Sequence, residues 1–503
     1  MPTYINSVRL PHLVKKEQHM KSNLKFNLSQ VTLSVLMACA LNAQMAYAEE
    51  EVLPEYTFLD AIKTGKNMTS FRLRYEGVEQ DGLQPPAFTG GGANPTATSD
   101  LKDAHGLTLR SLVGWQTAPY KNFSFAAQVI DVAQFNDNFN DGTNSFLING
   151  GTNQNGKIQY AKIVDPDFTD INQLYIDWTG IKNTRVRAGR QAVNLDNVRF
   201  IGDIAFRQIM QVFDGVSVLN KSIPDTEIFA AHFEEVTQIT SVQRGGDLDL
   251  LNVRYRISPT EFLVGYGYFA NMDELGFGNA WFGAGTLNNN GQPNLTADQS
   301  HKTLGVRLDG THPFNPNVRM HYTAEYAKQD DYSGGDKRID AHYYKLGIGG
   351  GYDNFNMRID QEMLSSNDSL YAFQTPFGTN HLFQGWVDKF LATPRQGIKD
   401  TFVTATYKYG DFLFFADYHL IDADEDFNTV GGGTATNGNR YGKEWNAAVT
   451  WNIDKNWMTK VEYGKFSEED YYAPTPNVAN SVAGNRNRIR DTEKVWVTAM
   501  YTF

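Results

Sequence analysis

Arginine is spaced along this chain in a way that suits work on anions. Arg72 and Arg74, Arg185 and Arg187, and Arg254 and Arg256 each stand two residues apart, with an apolar residue on either side of most of them. A spacing of two puts both members of a pair on one face of a β-strand. Arg110, Arg307, Arg319, Arg358 and Lys460 fall in the same polar phase of their own segments. A guanidinium can grip a carboxylate through two parallel hydrogen bonds, and rings of such cations favour anions. Glu76, Asp177, Asp309, Glu325, Asp360, Asp417, Glu444 and Glu462 share that phase. Each Arg therefore has two readings, as a brace to a neighbouring acid or as part of an anion-attracting surface.

Covalent chemistry finds little support. His232-Phe-Glu234-Glu235 lacks the second His of a metalloprotease helix. The stretch from Asp137 to Gly142 has Phe139 and Ile148 where a calcium loop needs oxygen ligands. Cys39 is the only cysteine, which excludes a disulfide framework, a CxxC zinc site and, if the leader is removed, a thiol nucleophile. The acidic run from Asp422 to Asp426 reads as a solvated loop. No catalytic residue, metal or cofactor is expected.

The elements that must position the arginines are strands. Phe71, Leu73 and Tyr75 alternate with Arg72, Arg74 and Glu76, and Leu251, Val253 and Tyr255 alternate with Asn252, Arg254 and Arg256. The same period of two runs through 304–309, 318–327 and 355–360. In a soluble sandwich the apolar face is the core; in a membrane barrel it meets lipid and the polar face lines a wet lumen. Three features favour the membrane. Trp445 and Trp451 lie on one face about 20 Å apart along a strand, a fit to two interfacial girdles. The polar faces carry full charges. The chain ends on Val495, Val497, Ala499, Tyr501 and Phe503 in one phase, as in the closing strand that the barrel assembly machinery reads. Eighteen segments can be drawn, beginning near 68, 107, 123, 171, 184, 212, 226, 248, 261, 303, 318, 340, 353, 402, 412, 443, 457 and 495. The expectation is an all-β protein: a transmembrane antiparallel β-barrel of about 18 strands, wide enough for an aqueous channel.

Composition agrees. Of 503 residues 13% are aromatic and 44 are Gly, while only 17 are Pro, which excludes collagen, coiled coil and disorder. The net charge of −12 excludes an ordinary nucleic-acid binder. Residues 1–48 read as a cleaved signal peptide, with a possible true start at Met20: Lys21 and Lys25, an apolar run from Val31 to Leu41, then Ala46-Tyr47-Ala48. Residues 49–503 form the barrel. Loss of the leader removes five bases (Arg9, Lys15, Lys16, Lys21, Lys25) and one acid, Glu17, so the exported chain is more acidic still. Since the lumenal phase leans cationic, the acids must concentrate in loops.

Two places resist simple alternation. Arg190 follows Val186 and Ala188 in the lipid phase, at a cost of about 2–4 kcal/mol at the bilayer midplane. Either it sits at the interface or Gly189 marks a bulge that turns it into the lumen with the other arginines. Residues 366–401 cannot be one hairpin; their irregular aromatics suggest a compact loop that enters the barrel or packs on its rim.

Arg187-Ala-Gly189-Arg190-Gln191, Phe213-Asp214-Gly215, the stretch from Phe377 to Phe390, and Tyr441-Gly-Lys-Glu-Trp445-Asn446 occur in order. Together they resemble the alginate-export family of outer-membrane porins over most of residues 55–503. The stretch 377–390, with Gly378, Asn380, His381, Gly385 and Asp388, is the most specific. The resemblance implies a monomeric 18-stranded barrel in outer-membrane lipid and lipopolysaccharide, with a cationic constriction and gating loops. Passive passage of anionic saccharides, alginate-like polyuronates or their oligomers, is the leading expectation. A porin for other small nutrients, or an outer-membrane hydrolase, is the rival. Conductance without hydrolysis separates the classes.

Overall fold

The computed structural model describes residues 56–82, 100–141, 155–272 apart from 156 and 158, 275, 298–429, 437–470, 472–473 and 489–503. The segment 1–48, expected to be a signal peptide, lies outside them. Eighteen antiparallel strands close into one barrel. They are β1 Ser70–Gln80, β2 Ala104–Gln116, β3 Phe123–Asn138, β4 Phe168–Trp178, β5 Thr184–Gln191, β6 Val212–Asn220, β7 Thr226–Thr237, β8 Gln243–Ser258 and β9 Glu261–Asn271. The other nine are β10 His301–Pro313, β11 Val318–Asp331, β12 Asp340–Tyr352, β13 Phe355–Leu364, β14 Ile398–Tyr409, β15 Phe412–Thr429, β16 Asn437–Asn452, β17 Trp457–Glu468 and β18 Thr492–Thr502. The seam is made by β1 and β18, in register from Ser70 opposite Thr502 to Gln80 opposite Thr492. Closure leaves no sheet edge inside the apolar layer, where unpaired backbone groups would find no partner.

The faces fall as the alternation requires. Leu73 is 40% exposed while Arg74 beside it is 2% exposed. Val129, Val306, Ile348, Ile359, Val449 and Val497 likewise stand on the outside, and Trp496 and Thr498 point in. Short turns join strands at one end, as at 259–260, 353–354 and 410–411, and long connections at the other. In such barrels the short turns are periplasmic. An aromatic rim rings that end: Phe412 stacks on Trp451, and Trp457, Tyr501, Phe503 and Phe71 pack edge to edge.

Each predicted strand exists, but most run further on the long-loop side. The acidic run 422–426 is not a loop: it extends β15, with Asp422 paired to Arg440 on β16 at 2.7 Å. Beyond the lipid layer both faces are polar, so the hydrogen-bond ladder continues where alternation has stopped. One helix escaped the sequence reading, α1 Phe58–Lys63, started by a capping box in which Thr57 and Asp60 satisfy each other's backbone N–H.

Candidate functional site

The lumen is the candidate site, and two loops fill part of it. One joins β5 to β6 (192–211) and the other joins β13 to β14 (365–397). The first reaches Arg72, only two residues from the periplasmic start of β1: the Arg72 guanidinium donates to the carbonyl of Ala205 at 2.7 Å and to Gln208 Oε1 at 3.0 Å. Arg74 donates to Asp165 at 2.6 Å and to the Phe206 carbonyl. Arg110 donates to the Ala205 carbonyl at 3.3 Å. These three lie adjacent on β1 and β2. They are buried and hold a loop, so of the two readings these three take the brace, and they leave the set assigned to the pathway.

The second loop enters the barrel and locks onto the first. Arg199 is buried with Glu362 of β13 at 2.9 Å, and its remaining N–H groups reach Thr375, Asn380 and Gln384. Thr379 N–H donates to Val198 O, and Gly202 N–H to Phe377 O, both at 2.9 Å. The His381 ring stacks on Phe206 with centroids 3.4 Å apart. Its Nδ1 lies 2.8 Å from Asp388, which also receives Arg207 at 2.7 Å and Lys494 of β18 at 3.2 Å. Burial pushes the Asp388 carboxyl up, but Lys494, His381 and Arg207 outweigh it and hold it well below its ordinary range.

The motif glycines are set by contact. A Cβ on Gly378 would lie 2.1 Å from the Arg199 carbonyl oxygen, and one on Gly385 would collide with the Glu444 carboxylate. Gly385 also has a φ of +87°, which L side chains rarely adopt. The Glu444 carboxylate accepts from Val387 N–H at 2.9 Å. Gly378, Asn380, His381, Gly385 and Asp388 thus sit together at the junction of two loops and the wall.

The remaining predicted cations divide. Arg307 is buried between Asp309 and Glu325. Arg256 is exposed at the periplasmic mouth and paired with Asp225. Arg190 leaves the lumenal set and takes the other of its two readings: it pairs across the ladder with Leu174, which faces out, and so lies on the outer wall near the long-loop end. There Asp214 holds it at 2.7 Å, with Asp170 and Glu235 at 3.4 Å. The left-handed Gly189 does not turn it into the lumen. Carboxylates, with the interface, answer the charge. Arg185, Arg254, Arg319, Arg358 and Lys460 remain partly exposed on the lumenal face of the lower wall. Among the described residues no ion pair holds Arg185, Arg254 or Arg319; Arg254 lies over the Phe262 ring at 3.7 Å and Arg319 donates to Asn356 at 2.9 Å. Arg187 pairs with Asp177 at 2.7 Å and stacks on Tyr175.

In three of these pairs the cation is the exposed partner. Side-chain exposure is 12% for Arg187 against 5% for Asp177, 29% for Arg358 against 1% for Asp360, and 31% for Lys460 against 5% for Glu462. Arg307 and Asp309 reverse the order. For Arg358, inward glycines at 347, 349 and 351 of β12 make the room, because Arg358 and its neighbour Arg319 lie across positions that a Cβ would occupy. Lys345, above that stripe and over the rings of Phe383 and Phe402, is a partly exposed lumenal cation that the sequence reading missed. Its inward phase, two residues before Gly347, was the available signal.

Residues 93–232 match the family model described as alginate export. The chain is a bacterial outer-membrane barrel, and this segment of it is similar to the alginate-export family. The matched stretch runs through β2–β6 and the first lumenal loop, and it bears out the resemblance drawn from the sequence. No curated protein sequence matches the chain. The barrel is similar to Pseudomonas aeruginosa OpdQ (12% identity, TM-score 0.57, 88% of this chain and 98% of that one). It is similar also to Acinetobacter baumannii OccAB2 (14%, 0.57, 87% and 98%). A third likeness is to Pseudomonas aeruginosa OpdK, crystallised with vanillate (10%, 0.55, 88% and 98%). At these identities the likeness is one of fold.

Proposed function

We propose that this outer-membrane barrel, with its segment similar to the alginate-export family, is a channel for passive passage of anionic saccharides, with no covalent step. The observation that carries the reading is the layering of charge in the lower lumen, where Arg187, Arg358 and Lys460 face the passage and their acids lie beneath. Arg185, Arg254, Arg319 and Lys345 extend the same surface. A solute there meets positive charge in a confined space with reduced screening, which enriches anions. The buried acids keep each guanidinium from holding a carboxylate too tightly for release. The alginate-export match names a polyuronate as the first solute to try.

The interlocked loops favour a second reading, small organic acids, because they narrow the passage; the OpdK structure with vanillate supplies a precedent in a barrel of the same fold. Reversal potential in a salt gradient across a planar bilayer tests the common part. Wild type should pass anions in preference to cations, and Arg254→Glu with Arg358→Glu should shift the potential toward cations. Block by uronate oligomers but not by vanillate supports the saccharide reading. An unchanged reversal potential in a variant that still conducts would sink the anion channel.

A further inference from the structure

The outer wall carries an apolar groove. It encloses about 440 Å³ and is walled by Trp115, Phe125, Leu174 and Ile176, with Ala127 and Ala188 as its floor. Leu174, Phe125 and Trp115 are exposed on the same side as Val113 and Val129. The alanines make the trench, since each stands across the ladder from a larger residue: Ala127 from Leu174, and Ala188 from Ile176. The groove begins at the periplasmic rim, where Thr117 leaves β2, and runs up the wall to β5.

Helix α1 sits at its mouth. The Trp115 indole N–H donates to the Ile62 carbonyl at 2.8 Å, Ala118 N–H donates to Ala61 O at 2.9 Å, and Phe58 packs edge-on against Phe125. Phe58, Leu59 and Ile62 are exposed, as expected of a short interfacial segment with its apolar side in the membrane. The rim around this mouth is basic. Lys63 ends α1 and Lys66 comes three residues later, Lys121 lies in the β2–β3 turn, and Lys182 lies in the β4–β5 turn, which is tied to its neighbour by Thr179 N–H to Asn122 O at 2.9 Å. All four are exposed, and among the described residues none is in an ion pair. The acid of α1, Asp60, is engaged by Thr57 in the capping box.

We infer that this surface is a binding site for an anionic phospholipid of the periplasmic leaflet. One acyl chain fills the alanine trench, α1 covers its upper segment near the headgroup, and the four lysines reach the phosphate level as long cationic side chains do at interfaces. The position at the short-turn end selects phospholipid over lipopolysaccharide, which occupies the opposite leaflet.

Trp115 reports on the site directly. Full-length protein is reconstituted in phosphatidylcholine vesicles holding a minor fraction of either bromo-acyl phosphatidylglycerol or bromo-acyl phosphatidylcholine, and the signal lost in Trp115→Phe isolates one indole. Brominated phosphatidylglycerol should quench Trp115 more at equal fraction. The combined Lys63→Gln, Lys66→Gln, Lys121→Gln and Lys182→Gln variant should lose that preference, and Ala127→Leu with Ala188→Leu should reduce quenching by filling the trench. Equal quenching by the two lipids in wild type, or a preference that survives loss of the lysines, overturns the proposal. Quenching by neither would mean that a second copy of the chain covers the groove, and would also overturn it.

Discussion

At the residue scale, the same side chain serves as brace or as lining according to what comes down on it. Arg74 and Arg358 are alike in sequence, each two residues from another charged group in a polar phase. Arg74 lies under a loop and is spent on Asp165 and Phe206; Arg358 lies over a glycine stripe and keeps part of its guanidinium open. Alternation shows which face a residue takes, and it cannot show what crosses the lumen to meet it, because the contacts span 91 positions to Asp165 and 132 to Phe206. The latch itself is testable here. Arg199→Ala would leave Glu362 buried without its cation, a loss of about 3–5 kcal/mol for a broken buried pair. Gly378→Ala would drive a methyl group into the Arg199 carbonyl. Both variants should insert into the outer membrane at normal levels, because neither residue belongs to a strand, and both should expose the 365–397 loop to external protease. Protection equal to wild type in both would show that the loop is held by something other than these contacts.

At the element scale, what the sequence makes legible is whatever lipid imposes. Strand starts on the short-turn side, such as Phe123, Thr184, Glu261 and Phe412, stand where alternation begins, since tight turns allow no slack. The opposite ends were less legible: β8 begins at Gln243 rather than near Leu248, and β15 runs nine residues past Leu420 to Thr429. The 192–211 loop gave one unused signal. Val193, Leu195, Phe200, Ile201, Ile209 and Met210 are too apolar for a stretch that meets water, and in the structure they pack inside the barrel. The wall is tested by comparing its faces. Val306→Asp sets a carboxylate in lipid and should lower heat resistance of the folded band, by a cost that falls from the midplane to the interface. Asn252, which an alternation argument alone would choose as the tolerant lumenal control, is a poor one, because its amide donates to Asp196 at 2.7 Å and a carboxylate there would face another. Thr450→Asp is the better control, since position 450 faces the lumen opposite Lys460. Equal loss at positions 306 and 450 would mean the faces are misassigned.

At the scale of the whole molecule, the barrel and its two loops are separable in energy though joined in sequence. The wall is closed by hydrogen bonds along every strand, with β1 zipped to β18, and none of these bonds comes from residues 375–391. The loops supply packing inside that wall: Phe373, Phe377, Val387 and Phe390 join Phe200, Phe213 and Phe466 in one buried cluster. Both loops enter from the long-loop end and meet each other before they meet the lower wall. They narrow the passage and reach down to Arg72 and, through Trp386, to Phe415 and Lys460, while Arg185, Arg254, Arg319 and Arg358 line the wall beside them. Width therefore belongs to the loops, and selectivity to wall cations that, among the described residues, no ion pair ties to the loops. Replacing residues 375–391 with a short Gly-Ser linker should leave a barrel that still inserts and still shows heat-modifiable migration, with larger single-channel conductance. Anion preference should weaken only as far as the wider bore lets ions pass at a distance from the lower cations, and high salt should diminish it further by screening. Conductance equal to wild type would show that ions already bypass the loop, and the narrowing assigned to it would fall. Loss of the barrel would show that the loop's buried cluster is part of the folding core.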